Sequence, residues 1–190
     1  MTTEREPDFS NPSWSRSDAI ITPRFTIAPL RRPEFEAYLY APDDLAQAWR
    51  LDVPLERPPQ YQRRAFEALY CKGLAYDAEN YVWGTLWLIV ERATARVVGR
   101  LCYKGAPRND AVEFAYATDR TERNRGVMTE ALLGACRWLT ERADVEFAFA
   151  ETTRKNVASQ CVLIKAGFDR VKEGKDTILW ARSVSIPVGS

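Results

Sequence analysis

The sequence contains no histidine among its 190 residues. Without imidazole, the chain cannot use a Ser-His or Cys-His nucleophile pair, a histidine general base or a mixed Cys/His zinc site. Acid-base chemistry must therefore fall to Glu, Asp, Tyr, Lys, Cys or a water molecule. We expect a protein that needs no bound metal.

An excess of charge of one sign is also lacking, because 27 Lys and Arg residues nearly balance 26 Asp and Glu residues. A formal net charge of +1 gives no global field that would hold nucleic acid. Long apolar runs are absent too, since the longest, Leu86 to Val90, is far too short to cross a bilayer. With no signal-peptide pattern, the sequence favours a cytoplasmic protein without a nucleic-acid or membrane partner.

Cysteine is rare and scattered: Cys71, Cys102, Cys136 and Cys161 form no C-x-x-C pair. Each lies within an apolar helical or strand pattern, which is typical of buried thiols in a reducing compartment. We therefore expect no disulfide. A chain of 190 residues is long enough for one domain with a single hydrophobic core.

The chain divides into a short arm and one domain. Residues 1–22 are polar, contain Pro7 and Pro12 and show no sustained period, so we expect a flexible arm before a domain over residues 23–190. Strand patterns cover residues 24–30, 81–91, 96–104, 111–117, 144–150, 169–171 and 177–180, and helical periods cover residues 33–40, 60–76, 127–139 and 156–166. This order predicts an α/β (α+β) fold, with a mixed, mostly antiparallel central sheet of about six to seven strands flanked by helices.

Several positions allow more detailed predictions. Pro29 cannot donate to a ladder, so the strand over residues 24–30 is expected at a sheet edge. Gly99 predicts a bulge within residues 96–104. The inner helix faces should carry Phe35, Leu39 and Tyr40 in the first helix and Tyr61, Phe66, Leu69, Tyr70 and Leu74 in the second.

A short basic turn, Arg123 to Met128, joins a strand to the most regular helical pattern of the sequence. From Val127 onward, apolar residues recur at three- and four-residue spacing. A helix N-terminus with free N–H groups beside Arg123 and Arg125 can bind an anion. The alternative is an ordinary strand-to-helix connection with solvated arginines, and this stretch alone does not decide between the two.

Four motifs follow one another in the sequence: Val112-Glu113-Phe114-Ala115-Tyr116, Arg123-x-x-Gly126-x-Met128-Thr129-Glu130-Ala131, Asn156-x-x-Ser159 and Val162-Leu163-Ile164-Lys165-Ala166-Gly167-Phe168. In this order they resemble the GCN5-related N-acetyltransferase (GNAT) superfamily. More narrowly, the chain is similar to the bacterial branch that includes the ribosomal-protein N-terminal acetyltransferases RimJ and RimL, over about residues 23–183. The resemblance implies the GNAT fold, in which strands 4 and 5 splay apart.

The resemblance implies acetyl-CoA as acyl donor, with its pyrophosphate on the basic turn and its pantetheine arm along the splayed strand. Asn124 stands where many relatives carry a second glycine, although Asn tolerates the left-handed region better than other non-glycine residues. The cofactor-binding residues that the resemblance implies are Tyr116, Ala117, Thr118, Arg123, Asn124, Arg125, Gly126, Val127, Met128, Thr129, Asn156 and Ser159.

Direct acetyl transfer to an amine needs a base for the amine and a proton for the leaving thiolate. Glu113 is the candidate base, because it shares a strand face with Ala111, Ala115 and Ala117, whose small side chains leave room for a ligand. The alternative is that Glu113 makes a structural bond to a nearby backbone group or arginine. Glu151, at the end of the next strand, is the second candidate.

Ser159 is the candidate catalytic residue beside the departing sulfur, since the resemblance implies a serine there. Many superfamily members place a tyrosine seven residues after the motif asparagine, and this chain has Leu163 in that place. The alternatives are that Ser159 only satisfies its own helix and that Asn156 is only an N-cap.

These features favour an acyl-CoA N-acyltransferase that moves acetyl from acetyl-CoA to a primary amine by direct attack. A peptide or protein N-terminal α-amine is favoured, because its pKa near ~8 makes it easier to deprotonate than lysine at ~10.4. The alternatives are a small-molecule amine or antibiotic as acceptor, or a catalytically weak sensing module that binds acyl-CoA. Either a monomer or a homodimer is compatible with the sequence.

Overall fold

The computed structural model describes residues 18–185, so most of the predicted arm, including Pro7 and Pro12, lies outside the described residues. Within residues 18–185, eight strands form one sheet in the order β1-β2-β3-β4-β5-β6-β8-β7. Neighbouring strands are antiparallel except β5 and β6, which are parallel. The strands are β1 (Ile20–Ile21), β2 (Phe25–Pro29), β3 (Leu86–Glu91), β4 (Arg96–Tyr103), β5 (Ala111–Thr118), β6 (Phe147–Thr153), β7 (Asp169–Glu173) and β8 (Thr177–Ser183).

The first two helices each have a proline near their start. Pro33 and Pro42 lie in the first turns of the first two helices, where a missing N–H is tolerated. None of the helices within residues 18–185 is long and apolar enough to cross a membrane. The helices are α1 (Arg32–Tyr40), α2 (Pro42–Ala48), α3 (Gln60–Gly73), α4 (Val127–Thr140) and α5 (Val157–Lys165), with 3-10 turns at Tyr81–Gly84 and Arg120–Glu122.

Two cores lie on opposite faces of the sheet. Along β3, Trp87 belongs to the core under α4 and α5, whereas its neighbour Leu88 belongs to the core under α1, α2 and α3. Eight of the residues of α4 are buried, among them Met128 and Leu132. At ~1.5–3 kcal/mol for each large apolar side chain, this burial fixes the position of α4 and of the turn that precedes it.

The sheet opens between β5 and β6. Pairing between them runs only from Ala111 opposite Phe147 to Phe114 opposite Ala150. Beyond this point, β5 pairs with β4 on its other side and β6 pairs with β8. The predicted splay of strands 4 and 5 is confirmed, and these strands are β5 and β6 here because a short strand precedes the first predicted one.

The predicted fold class is confirmed, with eight strands rather than six to seven. The additional strand, β1, lies within residues 1–22, where a flexible arm was predicted, and its Ile20 is buried. Because β1 pairs with Thr26 and Ile27, the prediction that residues 24–30 form an edge strand is wrong. Two residues are too few to show a strand period, which is why the pattern missed β1.

The predicted bulge in β4 is confirmed. The register with β3 shifts between Ile89, opposite Gly99, and Val90, opposite Val97. Residues 81–84 form a 3-10 turn instead of the start of β3. A Cβ on Gly73 would lie 2.3 Å from the carbonyl oxygen of Gly84, so this turn is packed directly against the end of α3.

Some burial predictions are wrong. Tyr61 of α3 and Leu74, which follows this helix, are exposed, and of the predicted inner residues only Phe66, Leu69 and Tyr70 pack partly against the core. The helix lies on the outside of its layer, so no α3 residue is fully buried. In α1, Tyr40 is exposed and Tyr38 takes the buried place.

The four cysteines are free, but only Cys136 is buried. Cys102 is half-buried, and burial raises the pKa of its thiol to about 11. Cys71 and Cys161 are exposed, so the prediction of four buried thiols is wrong for them. Both lie on helix faces that point away from the sheet.

Candidate active site

The turn between β5 and α4 contains two residues in the left-handed region, Asn124 with φ 62° and Gly126 with φ 74°. The prediction that Asn124 can take the place of a glycine is confirmed. Gly126 is the N-cap residue of α4, and no side chain from residues 18–185 caps the helix. The N–H groups of the first turn, Val127 to Thr129, therefore have no partner within the helix, which is the arrangement that binds an anion.

The two arginines of this turn have different environments. Arg125 forms ion pairs with Glu122 and, at 3.4 Å, with Glu91. Arg123 is exposed and makes no ion pair with any residue that the structure describes. Arg123 is thus available to interact with a ligand. Arg125, in contrast, is paired with the buried carboxylate of Glu122 and holds the turn against it.

The N-terminus of α5 lies on the other side of the opening. Asn156 caps this helix, because its Oδ1 accepts a hydrogen bond from the Ser159 N–H at 3.1 Å. The interpretation of Asn156 as an N-cap is confirmed. The Ser159 hydroxyl makes no hydrogen bond to its own helix within residues 18–185, and its side chain instead interacts with the Tyr116 hydroxyl.

Tyr116 connects β5 to this helix end. Its hydroxyl donates to the Ser159 carbonyl at 3.5 Å, the outer limit of a hydrogen bond. Burial raises the pKa of Tyr116 to about 12, so the phenol is protonated at neutral pH. Leu163 lies fully buried in the core. The structure therefore has a phenol next to Ser159, although it comes from a strand rather than from α5.

Glu113 lies on the other face of β5. Its carboxylate forms an ion pair with Lys104 of β4, and its side chain remains 36% exposed. The alternative of a structural bond is therefore observed, with a lysine in place of the predicted arginine. Since side chains alternate along a strand, Glu113 and Tyr116 project to opposite faces, about 10 Å apart along β5. The structure brings Tyr116, Asn156 and Ser159 together and leaves Glu113 on the other side of the sheet.

Glu151 projects to the same face as Glu113. Glu113 pairs with Phe149, and Glu151 follows two residues later, where β6 has separated from β5. Glu151 is exposed, whereas Phe149 and Ala115 are half-buried. This face of the opening therefore presents two carboxylates beside an aromatic ring and a small residue.

One charged cluster near the end of β5 was not predicted from the sequence. Arg100 donates to Asp119 at 3.2 Å and to Gln62 of α3 at 2.7 Å. Burial raises the pKa of Asp119, although the nearby Arg100 opposes this shift. The three residues are far apart in the sequence, and no local pattern indicates their contact. In residues 18–185 no group of His, Cys, Asp and Glu residues could hold a metal ion.

Comparisons with known proteins show the family and the fold. The family model described as "Acetyltransferase (GNAT) domain" matches residues 24–169. The curated "Uncharacterized N-acetyltransferase YjdG" of Bacillus subtilis (strain 168) is 31% identical over 83 residues, which are 43% of this chain. The match spans 49% of that protein, about half of its length.

Solved structures share the fold at low sequence identity. A RimL ribosomal L7/L12 alpha-N-protein acetyltransferase in complex with coenzyme A is 17% identical, with a TM-score of 0.61 over 87% of this chain and 98% of that one. An acetyl transferase from Salmonella typhimurium, described as modifying the N-terminal serine of L7/L12, is 17% identical with a TM-score of 0.59, over 87% and 99% of the two chains. A ribosomal-protein-S5-alanine acetyltransferase from Vibrio fischeri is 15% identical with a TM-score of 0.57, over 87% of this chain and 96% of that one.

Proposed function

Because this chain belongs to the GNAT acetyltransferase family, we propose that it transfers an acetyl group from acetyl-CoA to a primary amine. The observation that carries this proposal is the opening between β5 and β6, which leads directly to the uncapped N-terminus of α4. The turn at the N-terminus of α4 can bind phosphate, and the face of the sheet that carries Glu113 and Glu151 offers carboxylates. A bisubstrate site needs both.

The donor side of the proposed site consists of the turn and the strand edge. The N–H groups of Val127 to Thr129 and the charge of Arg123 suit the diphosphate of acetyl-CoA. The facing edge of β5, over Tyr116 to Thr118, pairs with no strand of the described part of the chain on that side, so its backbone groups can pair with the amides of the pantetheine arm. Asn156 and Ser159 border the same opening from α5.

The acceptor side of the proposed site is the face that carries Glu113 and Glu151. In the reaction, the amine nitrogen attacks the thioester carbonyl carbon, the C–S bond breaks, and the amine proton passes to a carboxylate, directly or through a water. The thiolate then takes a proton, for which Ser159 and Tyr116 offer hydroxyl groups on the opposite face. We propose Glu113 as the base, which requires Lys104 to give up or share its ion pair when the amine arrives.

We further propose a peptide or protein N-terminal α-amine as the acceptor. An α-amine titrates near ~8 and lysine near ~10.4, so freeing the α-amine at neutral pH costs roughly 3 kcal/mol less. An exposed carboxylate suffices as base for such an amine. The RimL structure supports this class, since that protein is described as an alpha-N-protein acetyltransferase. Four free thiols support a reducing compartment, and we place the protein in the cytoplasm.

The test is thiol release from acetyl-CoA with three matched acceptors. These are a short peptide with a free N-terminus, the same peptide with a blocked N-terminus and an internal lysine, and a set of small-molecule amines. We expect turnover with the free N-terminus alone. Turnover only with small amines would replace the peptide by that acceptor class, and CoA binding without turnover on any amine would favour a sensing module.

A further inference from the structure

Arg24 lies immediately before β2, about one hundred residues from the basic turn, yet its side chain reaches that turn. Its Nε donates to Glu130 Oε2 at 2.7 Å, and its backbone N–H donates to Glu130 Oε1 at 2.8 Å. Its Nη1 donates to the carbonyl oxygen of Arg125 at 2.9 Å. A single guanidinium thus joins the first turn of α4 to the residue that precedes the N-cap Gly126.

Glu130 completes this connection from the helix side. Its carboxylate also accepts a hydrogen bond from the Thr22 hydroxyl at 2.8 Å, and its N–H donates to the Gly126 carbonyl at 3.1 Å. Burial alone would raise the pKa of Glu130, but the hydrogen bonds from Arg24 and Thr22 lower it. The carboxylate is therefore ionised and fully engaged at neutral pH.

Hydrogen bonds from Arg92 fix the backbone segment that carries Arg24. Arg92 of the β3–β4 hairpin donates to the carbonyl oxygens of Thr22 at 2.6 Å and Phe25 at 2.9 Å, and also to that of Pro23. The Arg92 N–H donates to the Arg24 carbonyl at 3.1 Å. These hydrogen bonds fix the segment that carries Arg24 to the sheet. The Arg24 guanidinium therefore contacts the turn from a fixed backbone position.

We propose that Arg24 is a positioning residue for the donor substrate: with Glu130, it holds the turn from Arg123 to Gly126 in the conformation whose N–H groups bind the diphosphate. The turn needs such support because Asn124 and Gly126 both lie in the left-handed region, and Asn124 is disfavoured there relative to glycine. Fixing the Arg125 carbonyl fixes the peptide plane that joins Arg125 to Gly126, between the two left-handed residues. This proposal rests on the proposed function, because it assumes that the turn binds CoA.

The experiment measures calorimetric affinity of the full chain for CoA and for pantetheine, which lacks the diphosphate. In Arg24→Ala, which loses two charge-assisted contacts, we expect CoA affinity to fall by roughly tenfold or more and pantetheine affinity to remain within about twofold. At saturating acetyl-CoA, kcat should change little, so the loss appears in KM. A structural role without positioning would weaken both ligands or lower kcat.

Glu130→Gln separates positioning from direct charge attraction. If Arg24 acts by holding the turn, this variant should also weaken CoA binding and leave pantetheine binding unchanged. If Arg24 acted only as a nearby positive charge, removing the Glu130 carboxylate would tighten CoA binding, and that result would overturn the proposal.

Arg63→Ala is the matched control, because it removes an Nε to Oε ion pair of 3.0 Å with Glu67 on α3, away from the turn. Its affinity for both ligands should equal that of the wild type. Wild-type protein that binds no CoA would refute the proposed function. Wild-type binding that Arg24→Ala leaves unchanged would refute the role of Arg24 alone.

Discussion

Glu113 and Tyr116 belong to the same strand, but their side chains project to opposite faces of the sheet. The carboxylate is paired with Lys104 on the face that α1, α2 and α3 pack against, and the phenol contacts Ser159 on the face that α5 covers. A thioester in the opening between them would receive an amine from one side and lose its thiolate toward the other. The two proton transfers are thereby kept apart by the sheet itself.

Glu113→Gln should lower kcat by roughly 10²- to 10⁴-fold near neutral pH, because the amine would lose its proton acceptor. The loss should shrink as pH rises, since the amine then deprotonates unaided. Steady-state rates across the pH range measure this, with acetyl-CoA affinity as the control that should not change. Glu151→Gln is the matched comparison, and a larger defect there than in Glu113→Gln would move the role of base to Glu151.

Gly126→Asp should abolish measurable CoA binding. The substitution puts a carboxylate at the phosphate end of the site, and a Cβ at φ 74° costs roughly 1–2 kcal/mol of backbone strain. Gly126→Asn has nearly the same shape without the charge and tolerates the left-handed region better, so it should keep most of the affinity. Calorimetry with CoA distinguishes them. Equal affinities for the two variants would show that the phosphate does not bind at this turn.

Asn156→Ala and Ser159→Ala should separate stability from activity. Asn156 caps α5, so its replacement should lower the free energy of unfolding by about 1 kcal/mol. Ser159→Ala keeps the backbone N–H that Asn156 caps and should leave stability unchanged, while it lowers kcat modestly because solvent can protonate a thiolate. Thermal unfolding and turnover of both variants test this pair. A stability loss in Ser159→Ala would identify its hydroxyl as a helix-stabilising group instead.

The stability of the fold should depend on pH through Glu130. Its folded-state pKa lies below the unfolded value of 4.5, so the ionised carboxylate contributes stability above that value. The contribution is lost as pH falls through the lower folded-state pKa, while Arg24 stays charged throughout. Glu130→Gln cannot titrate, so its Tm deficit relative to the wild type should be present at pH 7 and shrink below pH 4.5. A deficit that stays constant down to pH 3 would contradict this assignment.

Local patterns predicted the turn before α4 and the helix that follows it. The helical period from Val127, the glycine at its start and the tolerance of Asn124 for positive φ are all properties of neighbouring residues, and the structure confirms each of them. The family resemblance is likewise confirmed by the GNAT domain match. The splay between β5 and β6 could be predicted only from the family resemblance. The sequence pattern of one strand does not show where its pairing with another strand ends.

The contacts that support the site could not be predicted, because they join residues that are distant in the sequence. Arg24 reaches Glu130 across 106 positions, and Tyr116 reaches Ser159 across 43. Charge type alone did not show that Arg125 would be engaged by Glu122 while Arg123 remained exposed. Which side chains are buried and paired depends on the packing of the whole fold. For this reason the helical period alone wrongly predicted that Tyr61 and Cys161 are buried.

The opening in the sheet also gives this protein a strand edge in its interior. Beyond Phe114 and Ala150, the facing backbone groups of β5 and β6 lack a ladder partner, as they would at the rim of a sheet. At a rim, such groups recruit strands from other molecules and promote aggregation. Here the opposing strand and the N-terminus of α5 border the gap, so a narrow, extended ligand fits where a second sheet does not. Unpaired backbone groups that would promote aggregation at the rim of the sheet are thus shielded between β5 and β6.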